Sequence, residues 1–146
     1  MIIAIGSDHA GYEGEPPYKP EILRHVARLG HQTLDCGTHG PESVDYPDFA
    51  NAVCEAILEG RARYGILVCG TGIGVSIAAN RHSGIRAATC ATKDMARLSR
   101  EHNDANVICL GRRILSLPAC FDLIQIWLDT PFNGGERHCR RIKKMG

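Results

Sequence analysis

Cys69 follows the short apolar run Ile66-Leu67-Val68 and precedes Gly70, Thr71, Gly72, Ile73 and Gly74. Such a run marks a strand buried on both faces of a parallel sheet. Val75 to Ala79 are small, helix-compatible residues. A strand, a glycine turn and a helix start gather free backbone N–H groups at one point, and the helix dipole adds positive potential there. Glycine also lets a ligand approach the main chain closely. A thiol among such donors is well placed to act as a thiolate, the reactive form. Cys69 could instead close the strand as a small hydrophobe. Its position favours chemistry, because ligands of open α/β sheets bind at strand C-termini. The glycine spacing is not that of a dinucleotide fingerprint, and no Gly-Lys-Ser/Thr follows to make a nucleotide P-loop.

Asp8 and His9 occupy the turn after a first apolar strand, Ile2 to Ile5. Ser7 or Asp8 could simply cap a following helix. Gly14 to Pro20, with Pro16, Pro17 and Pro20, keeps the chain out of an α-helix for several residues and weakens that alternative. His102, after a polar helix, could be a ligand-facing imidazole or a helix-end residue favouring the dipole. Asp8, His9, Cys69, Thr71 and His102 are all expected at or near strand C-termini, as a site for small-molecule chemistry. Asn103 and Asn106 are natural turn formers, and Tyr46 serves equally as a packed ring or a ligand contact. His25, His31 and His82 read as surface residues.

The elements that position these groups alternate. Strands are expected near residues 2–5, 31–36, 66–68, 86–90 and 107–110. Helices are expected near 20–29, 49–59, 75–79, 93–101 and 118–128, with a short basic helix at the end. Gly30 and Gly60 stop two of them, and Thr92 caps another. This order predicts an α/β fold, one doubly wound domain over residues 1–146 with a parallel sheet covered on both faces.

Composition narrows the partners. The 146-residue chain has a formal charge of +1, which gives no global reason to expect nucleic acid or an acidic membrane surface. Arg137, Arg140, Arg141, Lys143 and Lys144 gather at the end as a solvated helix face or a local anion site. The seven cysteines form no C-x-x-C pair and no zinc spacing. No structural metal is expected, and the thiols read as reduced, in an intracellular compartment. No apolar run approaches the roughly 20 residues of a membrane span.

Several motifs recur together and in order: Ser7-Asp8-His9-Ala10-Gly11, Tyr46-Pro47-Asp48, Cys69-Gly70-Thr71-Gly72-Ile73-Gly74, Ala79-Asn80, His102-Asn103-x-x-Asn106 and Gly111-Arg112. With them the chain resembles, from Met1 to about Lys144, the type B ribose-5-phosphate isomerases and their relatives, the galactose-6-phosphate isomerase subunits. The resemblance implies a Rossmann-like αβα sandwich with a five-stranded parallel sheet, no cofactor and no metal. It also implies a cytoplasmic homodimer or homotetramer whose active sites are shared between subunits.

The implied reaction interconverts D-ribose 5-phosphate and D-ribulose 5-phosphate, a step of the pentose phosphate pathway, through a cis-enediolate. Cys69 is implied as the base, His102 in ring opening, and Asp8 at the sugar hydroxyls. Gly70 to Gly74, with Thr71, are implied to hold the enediolate oxygen. His9, Arg137 and Arg141 are implied for the phosphate, and Asn103, Tyr46 and Arg112 as further contacts. Two departures stand out: the Gly14–Pro20 detour, and Glu136 between the glycines and Arg137. The detour keeps open a same-family isomerase of another sugar phosphate (galactose or allose 6-phosphate, or a tetrose phosphate). A non-catalytic sugar-phosphate-binding module is the alternative from another class.

Overall fold

β-Branched and apolar residues alternate with glycine-stopped amphipathic segments along the whole chain, and the backbone follows that pattern. The computed structural model describes residues 1–146. In chain order the elements are β1 (Ile2–Ser7), α1 (Tyr18–Arg28), β2 (Gln32–Asp35), α2 (Tyr46–Leu58), β3 (Tyr64–Cys69) and α3 (Ile73–Ala79). They continue with β4 (Ala87–Thr89), α4 (Lys93–Glu101), β5 (Val107–Gly111), α5 (Leu117–Asp129) and α6 (Glu136–Met145). A single 3-10 turn, His9–Tyr12, lies between β1 and α1.

The five strands form one parallel sheet in the order β2-β1-β3-β5-β4. All six residues of β3 are buried, as a central strand of a doubly covered sheet requires. Alternate strand residues then feed two cores. Ile3, Ile5, Ile66, Val68, Ile108 and Leu110 meet α1, α4 and α5 on one face. Ala4, Leu67, Cys69, Val107 and Cys109 meet α2 and α3 on the other. Each fully buried large aliphatic side chain contributes about 1.5–3 kcal/mol of burial.

Helix ends follow local chemistry. Thr92 and Ser116 accept the N–H groups of Met95 and Ala119 at 3.1 and 3.2 Å, satisfying donors a helix start leaves free. Two boundaries differ from the sequence reading. α1 begins at Tyr18, so Pro20 sits inside its first turn, where a missing N–H costs nothing. The detour outside the helix is therefore only the turn Gly14–Pro17. α2 begins at Tyr46, with Pro47 in its first turn. No helix is long and apolar enough to cross a membrane.

Candidate active site

The parallel register brings the first turn and the glycine turn side by side. Ser7 pairs with Val68 across β1 and β3, so Asp8 and Cys69 are the next neighbours along the two strands. Asp8 donates its backbone N–H to the Val68 carbonyl at 3.2 Å. Its Oδ1 accepts the N–H of Ala10 at 2.9 Å, which caps the 3-10 turn. The capping role that the proline-rich segment seemed to disfavour is thus real, and a 3-10 turn rather than an α-helix supplies it. One carboxylate oxygen is used in the cap, and Oδ2 has no partner within the chain. His9 accepts the Val44 N–H at Nδ1, 3.2 Å away. That bond assigns the proton of the neutral ring to Nε2.

Cys69 ends β3, and its sulfur accepts the Gly72 N–H at 3.2 Å. Ile73 N–H donates to Thr71 Oγ1 at 3.2 Å. Two of the expected turn donors are therefore engaged within the loop, whereas Gly70 and Thr71 donate their N–H groups to no protein acceptor. Both, together with the Gly74 N–H, which likewise meets no protein acceptor, are free to receive an anionic oxygen. Gly72 is at φ +81°, and a Cβ there would lie 3.0 Å from the Leu110 carbonyl carbon. Both the backbone angle and the space require glycine. Tyr46 packs its ring on Gly74: a Cβ at Gly74 would meet the ring at 2.7 Å. Tyr46 is 40 % exposed at the rim.

Burial holds five of the other thiols protonated. It pushes Cys54 up to about 12, and Cys90 and Cys120 up to about 11. Cys36 and the fully buried Cys109 are raised as well. These are packing residues at neutral pH. Cys69 is 4 % exposed but lies at the strand end, beside the turn that carries the free donors. No group of three or more His, Cys, Asp or Glu side chains is spaced to hold a metal ion.

Arg112 and Arg113 divide their tasks in a way their order in the chain does not reveal. The Arg112 guanidinium lies over the Tyr18 ring, 4.3 Å from its centroid, and its Nε donates to the Glu13 carbonyl at 3.1 Å. It braces the Gly14–Pro17 turn. Arg113, which the sequence reading passed over, reaches the glycine turn instead. A Cβ at Gly70 would lie 2.9 Å from its Nη1.

His102 and Asn103 do not join this group within one chain. α4 runs back from the C-terminal end of β4 to the N-terminal end of β5, so His102, its C-terminal cap, lies at the opposite end of the sheet. Asn106 marks the same end, bonding Arg86 N–H at 2.8 Å and the Gly84 carbonyl at 2.9 Å. Cys69 pairs with Gly111 at the far end of β5. Four residue steps of strand, about 13 Å at 3.3 Å each, separate the two ends before His102 is even reached. The expectation that His102 falls at a strand C-terminus is corrected: a residue after a helix and before a parallel strand sits at that strand's start.

A second cluster forms there. The His102 ring stacks on His138 of α6, with centroids 4.4 Å apart and planes 11° from parallel. Arg137 and Arg141 are exposed and one turn apart on α6, so they share a face, while His138 is turned inward. Glu136 is the first helical residue and sits favourably at that N-terminus. Burial, then His102, Arg137 and Arg141, push the His138 imidazole below its ordinary value. Two clefts, about 480 and 600 Å³, also lie toward this end; Asn106 lines the first and Asn103 the second.

An acidic side chain, a thiol and free main-chain donors thus meet at the C-terminal end of the parallel sheet, the edge where α/β folds bind small ligands. The chain belongs to the Ribose/Galactose Isomerase family, whose profile it matches over residues 3–145. Among known proteins it is similar to ribose-5-phosphate isomerase B of Escherichia coli, with 42% identity over 98% of this chain and 93% of that one. Among solved structures it is similar to ribose-5-phosphate isomerase B of Clostridium thermocellum, with a TM-score of 0.95, 51% identity, and coverage of 100% of this chain and 95% of the other. The Thermotoga maritima ribose 5-phosphate isomerase structure gives a TM-score of 0.93 at 49% identity, covering 99% and 96%.

Proposed function

We propose that the chain interconverts D-ribose 5-phosphate and D-ribulose 5-phosphate through an enediolate, with Cys69 as the base. The carrying observation is the Cys69 sulfur under the Gly72 N–H, with the Gly70 and Thr71 N–H groups unused beside it. The thiolate removes the proton from C2 of the open-chain aldose, and the electron pair moves onto the carbonyl oxygen. That oxygen is received by the free turn donors, with Thr71 beside it. Reprotonation at C1 completes the exchange, so one proton moves between adjacent carbons and no electrons leave the substrate. An oxyanion donor of this type is worth about 2.7–4 kcal/mol, and a placed base about 10²–10⁴-fold in rate. Asp8, with Oδ2 free, moves protons between the sugar hydroxyls.

The same reading requires a second copy of the chain. His102 for ring opening, Asn103 for a hydroxyl, and Arg137 and Arg141 for the phosphate lie at the wrong end of the sheet to serve their own Cys69. A homodimer that sets one chain's α4–α6 corner over the other's glycine turn joins the halves, with His9 of the chain that supplies the glycine turn also at the phosphate. Ile73 and Ile77, 55 and 56 % exposed and one turn apart on α3, offer an apolar face beside that turn. Pairing exposed arginines with a phosphate gives strong, orienting hydrogen bonds.

The test is turnover of D-ribose 5-phosphate in deuterium oxide. Wild-type protein should isomerise it and exchange the C2 proton. Cys69→Ala should do neither while keeping its melting temperature. Binding without exchange would instead mark a non-catalytic sugar-phosphate module. Faster turnover of a six- or four-carbon sugar phosphate would reassign the substrate within the family.

A further inference from the structure

We propose that Glu13 is a positioning residue for Arg113, holding its guanidinium with one edge turned to the Cys69–Gly70 turn. The carboxylate of Glu13 takes a two-point fork from Arg113, at 2.6 Å from Nη2 and 3.3 Å from Nε. A guanidinium has five N–H groups; the fork uses two of them on one edge. The Nη1 edge is left beside Gly70. Arg113 is tied to the same turn by its backbone, whose N–H donates to the Gly70 carbonyl at 2.9 Å.

Glu13 is itself fixed from two sides. Its N–H closes the 3-10 turn on the Ala10 carbonyl at 3.1 Å, and its own carbonyl accepts from Arg112 Nε. It therefore joins the Asp8 turn to the Gly14–Pro17 turn and aims its carboxylate across the mouth. The two side chains are 36 and 59 % exposed, so their pairing adds little to stability. Its consequence is orientation: an unforked arginine on a flexible stem samples many directions, and a forked one presents a fixed donor edge. An anionic oxygen received by the Gly70 and Thr71 N–H groups meets that edge.

The kinetic consequence rests on the isomerase reading, whereas the placement of Arg113 does not, and the experiment separates them. Cys69 is alkylated with iodoacetate and with iodoacetamide at one pH, and the Cys69 peptide is quantified by mass spectrometry. The ratio of the two rates cancels the thiolate fraction and reports the positive potential at the sulfur. Glu13→Gln should lower that ratio on the order of three- to tenfold, because Arg113 leaves the turn. It should lower kcat/KM for D-ribose 5-phosphate similarly, with the melting temperature unchanged. In an Arg113→Ala background the same change should leave the ratio level or raise it, since only a negative charge is then lost. A ratio that stays level or rises in Glu13→Gln overturns the proposal, since loss of a mere negative charge would raise it. An equal fall in the Arg113→Ala background overturns it too. A wild-type chain that alkylates as described but does not isomerise refutes only the isomerase reading, because the ratio needs no turnover.

Discussion

The ring of His102 lies flat on that of His138, 4.4 Å between centroids, and joins the end of α4 to the basic helix α6. Through this contact the imidazole and the exposed Arg137 and Arg141 share one corner, at the end of the sheet remote from Cys69. That geometry makes the two halves of the proposed site separate objects, each testable by itself.

His102→Asn should reduce kcat/KM on the predominantly cyclic pentose phosphate by about 10²–10⁴-fold, the range of a placed acid or base. An open-chain analogue that needs no ring opening should lose much less. Side-by-side steady-state assays of the two substrates measure the difference, and equal losses would remove ring opening from His102.

Lys19 is fully buried, paired with Asp35 and donating to the Thr38 carbonyl at 2.7 Å. It fastens α1 to the loop after β2. Lys19→Met leaves Asp35 and that carbonyl without their cation, and breaking a buried pair costs about 3–5 kcal/mol. Because Asp35 is partly solvated, the lower part of that range is expected. Urea unfolding monitored by circular dichroism should give it; a midpoint equal to wild type would contradict the role.

His25 stacks on Phe121 between α1 and α5, 4.2 Å between centroids, with Nε2 buried and unpartnered. Burial pushes its imidazole below the ordinary value of 6.5. The folded chain thus binds this proton less readily than the unfolded chain does. Stability from His25 is full above pH 6.5 and is lost as pH falls through the lowered folded value. Unfolding midpoints taken from pH 7.5 to 5 should fall for wild type and fall less for His25→Phe. Parallel pH profiles would contradict the assignment.

Much of this arrangement was legible in the residues alone. The run Ile66-Leu67-Val68 followed by Cys69 and glycines is readable because a central parallel strand must be apolar on both faces and a close turn must lack side chains. Asp8 and Cys69 are both expected at strand C-termini; that they are neighbours comes from the pairing of β1 with β3, which the residues do not reveal. His102 was misplaced at the strand C-termini, because nearness to β5 in sequence was read without the direction of α4. Arg113 is hidden by its neighbour: both arginines reach Glu13, Arg112 at its carbonyl and Arg113 at its carboxylate, and only the backbone of the turn decides which of them also flanks Gly70. Lys19 left no signal, since burial of a lysine depends on Asp35 and Thr38 meeting it from a different loop. The cap by Asp8 was underrated because proline forbids an α-helix there but not a four-residue 3-10 turn.

The proposed joining of the halves across two chains can be measured directly. Chains carrying Cys69→Ala and chains carrying His102→Asn, each nearly inactive alone, are co-expressed with different tags and purified as a mixture. In a mixed dimer one site holds both native groups and the other holds neither. Random pairing should therefore restore about a quarter of wild-type turnover. A mixture as inactive as its parents would contradict the shared site.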